Sequence, residues 1–284
     1  MTSASQLNTG SARRLDFEVS GQRIAALQAG PDGGRPALLV PGYTGSKEDF
    51  GPILDQLAAH GLLITAIDMP GQLDSPALSD SAEYDPDGLA GFVRAVAQLV
   101  GDRILLLGHS FGGLVARAAV IGAPDQFESL VLLGSGPARL GGARRAIMDR
   151  LDPVLASAGL PAVYAALQSF WQEDPRYVAP PPDVATFLDR RFLSGTPAML
   201  KGMADALRHE PDRVAELAAT RVPVLVTHGA DDDAWPPPVQ QEMAQRLGAQ
   251  YAVIPAAAHS PAVENPAATA DTLLSFWSPA RPTD

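Results

Sequence analysis

The chain has 284 residues, 46% hydrophobic and 19% charged, enough to bury the core of one large soluble domain. Its net charge of −11, with basic residues scattered in short pairs such as Arg13-Arg14, Arg144-Arg145 and Arg190-Arg191, argues against nucleic acid or an anionic membrane as partner. The lack of cysteine excludes disulfides, a thiol nucleophile and thiolate-held zinc or iron–sulfur clusters.

Residues 1–10 are polar and lack the apolar core of a secretory signal. No apolar run is read as reaching the roughly 18–20 residues of a membrane span. A cytoplasmic protein, monomeric or homodimeric, is expected, with loosely ordered tails at 1–13 and 279–284. Short apolar runs then alternate with longer amphipathic stretches, the pattern of a mostly parallel sheet flanked by helices.

Strands are expected over residues 15–20 and 22–28, turning at Gly21, and over 37–40, ending at Pro41-Gly42. A helix over 47–60 closes at Gly61, and a strand over 62–67 ends at Asp68. Next come a helix over 87–100, a strand over 103–107, a helix over 111–121 and a strand over 129–133. Strands over 222–227 and 250–254 flank a helix over 239–247, and a last helix spans 266–277. The sheet thus has eight strands.

Between Gly134 and Ala219 the strand rhythm stops. The pattern there is helical, broken at Pro153, Pro161 and Pro180-Pro181-Pro182, and rich in large apolar side chains including Phe170 and Trp171. So long a structureless loop is implausible in a compact domain. We read residues 135–219 as a helical cap inserted in a core formed by 14–134 and 220–278.

The strongest chemical signal is Gly108-His109-Ser110-Phe111-Gly112, a Gly-x-Ser-x-Gly motif with a buried strand before it and a helix after it. A strand must turn sharply into a helix with the serine at the apex. Glycines two positions to either side remove the Cβ atoms that would block the turn. The helix N-terminus then faces the serine, where free N–H groups favour negative charge.

On these residues the chain resembles the α/β-hydrolase superfamily, in the group with a helical cap, from about Leu15 to Trp277. The resemblance implies an acyl-transferring serine nucleophile, Ser110, and an oxyanion hole formed by backbone N–H groups. One donor is Phe111. The other lies in Pro41-Gly42-Tyr43-Thr44-Gly45-Ser46, where proline stands in place of the family's usual histidine; Tyr43 is expected there, with Thr44 as the alternative. The loop from Asp68 to Ser75 has Leu73 in place of a usual glycine and carries no chemistry.

Of five histidines, His60 closes a helix, His109 lies inside the elbow, His209 lies in the cap and His228 ends a strand. His259 follows the last strand, where the family places its base. Gly229-Ala-Asp-Asp-Asp-Ala-Trp-Pro resembles the family's acid turn and selects Asp232 over Asp231 and Asp233. The order Ser, Asp, His also matches. Thr44, His109, Phe170, Trp171 and Trp235 are candidate substrate contacts.

Three adjacent carboxylates followed by Trp235 and three prolines make a poor calcium loop. Neither a zinc-ligand spacing nor a phosphate loop is found, so no metal or cofactor is expected. Lys47 and Lys201 sit in segments that read as exposed, against a Schiff-base mechanism.

The resemblance implies ester hydrolysis, and the apolar cap predicts a substrate with a small or medium hydrophobic acyl or alcohol group. The same residues also suit a thioesterase, amidase, carbon–carbon bond hydrolase or acyltransferase. A second reading is a ligand-binding sensor on the same fold.

Overall fold

Strands read as continuous apolar runs because both of their faces are covered. In the strand Ile104–His109, Leu105 and Leu107 enter the cluster under helices 51–58 and 266–277, while Ile104 and Leu106 enter the cluster under helices 86–100 and 111–122. The computed structural model describes residues 5–173 and 177–277.

Eight strands form one sheet: β1 (Arg13–Val19), β2 (Gln22–Ala29), β3 (Arg35–Val40), β4 (Leu62–Ile67), β5 (Ile104–His109), β6 (Phe127–Leu133), β7 (Val224–Gly229) and β8 (Gln250–Ile254). Their spatial order is β1-β2-β4-β3-β5-β6-β7-β8. β2 is antiparallel to β1 and β4, and all other pairs are parallel. The carboxyl ends of β3, β5, β6, β7 and β8 therefore share one edge, where ligands of open α/β sheets bind.

Helices α1 (Gly51–Ala58), α2 (Pro86–Val100) and α3 (Phe111–Gly122) come first, with α3 packed against β5 and β6 at the middle of the sheet. Then α4 (Gly142–Glu173), α5 (Pro182–Leu193), α6 (Pro197–His209) and α7 (Val214–Ala219) lie between β6 and β7, and α8 (Pro237–Leu247), α9 (Pro261–Glu264) and α10 (Pro266–Trp277) follow.

Several expectations need correction. The helix of 47–60 begins as a 3-10 turn, Lys47–Phe50, before α1. Pro153 does not end α4; the break is at Gly159 (φ 73°), and Pro161 starts the next helical turn, where its missing N–H costs nothing. α7, read as part of the cap, packs on α3 and α8 in the core layer.

Residues 5–12 are not a loose tail. The Ser11 N–H and hydroxyl both donate to Asp55 Oδ1 on α1, at 3.0 and 2.7 Å. Residues 1–4 and 279–284 lie outside the described residues. Among the described residues, α4 is the one helix long and apolar enough to cross a bilayer by length and composition, with a mean hydropathy of 1.2 over 18 residues. Small alanines and uncharged spacers had hidden this run, and the Gly159 break divides it.

Lys47 is also not exposed: at 1% exposure it is among the most buried side chains. Its ammonium donates to Asp68 Oδ2 and Asp74 Oδ2, both at 2.7 Å, and lies 3.1 Å from Glu48 Oε1. Burial works against the charge, but Asp68, Glu48 and Asp74 outweigh it and hold the pKa above the usual lysine value. The amine is thus held charged as a structural cation, the opposite of what a Schiff base needs.

Candidate active site

Ser110 stands between β5 and α3 with φ 54° and ψ −120°, a strained backbone that a non-glycine residue rarely adopts. The turn closes because its flanks have no side chains. A Cβ on Gly108 would lie 2.2 Å from the Gly112 carbonyl oxygen, and one on Gly112 would lie 2.3 Å from that of Pro41. The Ser110 N–H donates to the Leu133 carbonyl of β6 at 2.8 Å, which fixes the apex over the sheet edge.

His259 comes from the loop after β8 and Asp232 from the loop after β7. The Ser110 hydroxyl lies 2.9 Å from His259 Nε2, and His259 Nδ1 lies 2.9 Å from Asp232 Oδ1. All three are buried, at 8%, 9% and 4% exposure. Asp232 also accepts from the Ala234 N–H at 2.9 Å and from Gln240 Nε2 at 3.0 Å. Burial favours the neutral acid, yet His259 and these donors together hold the carboxyl below its usual range. An ionised Asp232 in turn fixes the His259 tautomer with its proton on Nδ1, leaving the Nε2 lone pair for the serine hydroxyl.

The neighbouring carboxylates go elsewhere. Asp231 is exposed, and Asp233 pairs with Arg144 at 2.6 Å. Gly134, at the end of β6, leaves room for the pair: a Cβ there would stand 3.1 Å from Asp232 Oδ2 and 3.5 Å from His259 Nδ1. Among the described residues no group of three or more His, Asp or Glu side chains is arranged to hold a metal.

The loop after β3 lies beside the serine, since a Cβ on Gly42 would stand 3.1 Å from Ser110 Cβ. Among the described residues neither the Tyr43 nor the Phe111 N–H donates to another backbone group. The Tyr43 hydroxyl donates to the Leu200 carbonyl of α6 at 2.9 Å. Burial pushes its phenol well above the usual range, so it stays a neutral donor. Tyr43 also lines a small, mostly apolar pocket walled by Ile147, Leu151, Leu155, Val163, Phe192 and Leu200, with Asp152 and Arg208 as its charged members.

The other candidate substrate contacts fare differently. Thr44 is half-buried in the same loop and makes no side-chain hydrogen bond among the described residues. Phe170 packs on the core cluster and Trp171 is 45% exposed, edge-on to Tyr164; neither lines the pocket, whose α4 wall runs from Ile147 to Leu167 and stops short of them. Trp235 is buried against Gly136, and its indole N–H donates to the Ala138 carbonyl at 3.1 Å, so it anchors the Asp232 turn rather than facing a ligand.

His109 turns away from the pocket towards His259. Its Nε2–H donates to the His259 carbonyl at 2.6 Å, with the two rings 5.0 Å apart. Burial first, then the nearby His259, lowers its pKa to about 4. His228, expected to pack at its turn, is fully buried between the Gly229 carbonyl and the Tyr251 hydroxyl.

The depressed His109 pKa has a defined sign. The unfolded chain protonates this residue below about pH 6.5, whereas the folded chain resists until about pH 4. Stability is therefore complete above pH 6.5 and is lost as pH falls towards 4, by up to about 3 kcal/mol. Urea unfolding at pH 7 and pH 5 should show His109→Gln losing less stability across that interval than the parent. An equal loss would remove His109 as the cause.

Two polar residues beyond the sequence reading hold Asp232 and the backbone around His259 in place. Gln240 on α8 is fully buried and ties Asp232 to the Trp235 carbonyl, at 3.0 and 2.7 Å. Glu264 on α9 accepts from the Ala258 and Ser260 N–H groups at 2.5 and 3.3 Å, clamping the peptide on both sides of His259. Glu264, five residues beyond the histidine, is marked in the sequence only as a carboxylate just ahead of the last helix.

These features are those of a hydrolase built on a doubly wound α/β sheet. The sequence matches the alpha/beta hydrolase family over residues 37–272, and the chain belongs to that family. It is 27% identical over 246 residues to the pimeloyl-[acyl-carrier protein] methyl ester esterase of Neisseria meningitidis, covering 81% of this chain and 89% of that one. Its identity to the enzyme of the same name from Pectobacterium carotovorum is 28% over 260 residues, covering 86% and 94%.

Among solved structures, an esterase from Rhodococcus sp. is similar, with a TM-score of 0.73, 25% identity and coverage of 95% and 99%. An enol-lactonase from Burkholderia xenovorans shares the fold, with a TM-score of 0.77, 21% identity and coverage of 93% and 100%. The chain is thus an enzyme of the hydrolase class.

Proposed function

We propose that the chain is a serine hydrolase that cleaves carboxylic esters carrying a small to medium hydrophobic acyl group. The observation that carries this reading is the continuous hydrogen-bond line from Ser110 through His259 to Asp232, 2.9 Å at each step. The ester chemistry named for the Neisseria and Pectobacterium relatives supports the choice of bond.

In the proposed reaction, Ser110 Oγ attacks the acyl carbon as its proton passes to His259 Nε2. The carbonyl oxygen becomes an oxyanion, met by the N–H groups of Phe111 and Tyr43. Collapse expels the alcohol, which takes the proton from His259. A water then attacks the acyl-enzyme with His259 again as base, releasing the carboxylic acid and restoring Ser110. Asp232 keeps the imidazole oriented and stabilises its charged form.

The apolar pocket beside Tyr43 is the proposed acyl site, under a cap running from the residues after β6 to α6. Each buried methylene contributes about 0.8 kcal/mol, roughly four-fold in affinity. Acyl chains from acetate to hexanoate on one p-nitrophenyl leaving group add four methylenes and should therefore raise kcat/KM by up to about 200-fold when all are buried. A flat series would sink the pocket assignment. A fluorophosphonate probe should label Ser110 stoichiometrically, and no labelling would overturn the nucleophile.

A further inference from the structure

We infer that Arg191, from the cap, is a positioning residue for the oxyanion loop, acting through Asp49; the inference rests on the serine-hydrolase reading proposed above. The loop of residues 41–46 carries the proposed second donor, Tyr43, and is moulded around the Asp49 carboxylate. The Ser46 N–H donates to Asp49 Oδ2 at 3.1 Å. Gly45 presses on the same oxygen, which a Cβ there would approach to 2.6 Å.

The other oxygen, Asp49 Oδ1, faces the cap. Arg191 Nη1 on α5 donates to it at 2.5 Å, with Gln6 Nε2 a longer second donor at 3.3 Å. The Arg191 guanidinium also lies over the Phe187 ring, 5.7 Å from its centroid, which fixes its direction. Both members of the pair are only 16% exposed, so salt screens them less than the neighbouring Arg190–Asp74 pair, whose arginine is 65% exposed.

The same loop is tied to the cap a second time through the Tyr43 hydroxyl and the Leu200 carbonyl of α6. Two cap helices thus hold the short loop whose amide must meet the developing oxyanion. A displaced cap displaces the donor, and misplacement by about 1 Å is enough to slow chemistry by orders of magnitude.

The test compares Arg191→Met, Arg191→Lys, Asp49→Asn and the double variant Asp49→Asn/Arg191→Met, with circular dichroism as a check on folding. Asparagine keeps one oxygen for the Ser46 N–H while ending the ion pair. The readouts are kcat and KM on p-nitrophenyl butyrate and the Ki of butylboronic acid, whose tetrahedral serine adduct places an oxygen in the oxyanion hole.

Arg191→Met should lower kcat about ten-fold and weaken boronate inhibition by a similar factor, with KM within about two-fold of the parent. Arg191→Lys should recover most of the loss, and the double variant should be no worse than the lower single variant. The inference is overturned by unchanged kcat in Arg191→Met, by a loss confined to KM, by no recovery with lysine, or by single losses that multiply. If Arg191→Met does not fold, Asp49→Asn with the lysine variant decides by the same criteria. Activity surviving in Ser110→Ala would instead bring down the serine-hydrolase reading.

Discussion

Ser110→Ala should fold like the parent and lose turnover of aryl esters by roughly 10⁴- to 10⁶-fold. Alanine removes only the hydroxyl oxygen, which protrudes at the sheet edge and holds no part of the core together. The strained backbone at this position is set by the flanking glycines and by the 2.8 Å bond from the Ser110 N–H to the Leu133 carbonyl, both of which survive the change. Circular dichroism and the thermal midpoint should therefore match the parent, while kcat falls to what binding and the proposed oxyanion donors supply alone. A variant hydrolysing p-nitrophenyl butyrate at the parental rate would show that another group is the nucleophile.

The largest expected effect on stability lies at Lys47. Its replacement by methionine keeps volume but leaves Asp68 and Glu48, both almost without solvent contact, lacking their shared cation. Glu48 keeps Arg14 at 3.3 Å, and Asp74 suffers least, since Arg14 and Arg190 also pair with it at 3.0 and 2.8 Å. Removing one partner of a buried ion cluster costs about 3–5 kcal/mol, because the remaining charges must be neutralised or left unpaired. Thermal unfolding should show a midpoint lower by roughly 6–20 °C. Adding Asp68→Asn should recover part of the loss. A shift under about 2 °C would mean that the cluster contributes little.

Much of the sheet was readable because a buried parallel strand leaves a plain trace: a short apolar run ended by Gly or Asp. The boundaries that moved did so for local reasons. A helix crossed Pro153 and broke at Gly159, where a positive φ, not a proline ring, interrupts the helix. The burial of Lys47 was hidden because charge alone does not tell a solvated side chain from one enclosed by three carboxylates. Trp171 and Trp235 looked alike as large aromatic side chains near the site. One is exposed on α4 and the other is wedged against Gly136.

By itself the sequence determined the elbow at Ser110 and the chain order of serine, aspartate and histidine, since tight-turn sterics and strand-to-loop succession are short-range properties written in neighbouring residues. Only the tertiary structure decided which polar groups hold those three in place. Gln240 reaches Asp232 from α8, His109 grips the His259 carbonyl across 150 positions, and Arg191 reaches Asp49 across 142. Such pairings depend on distances between loops that meet at a shared sheet edge, and no local pattern of residues encodes them.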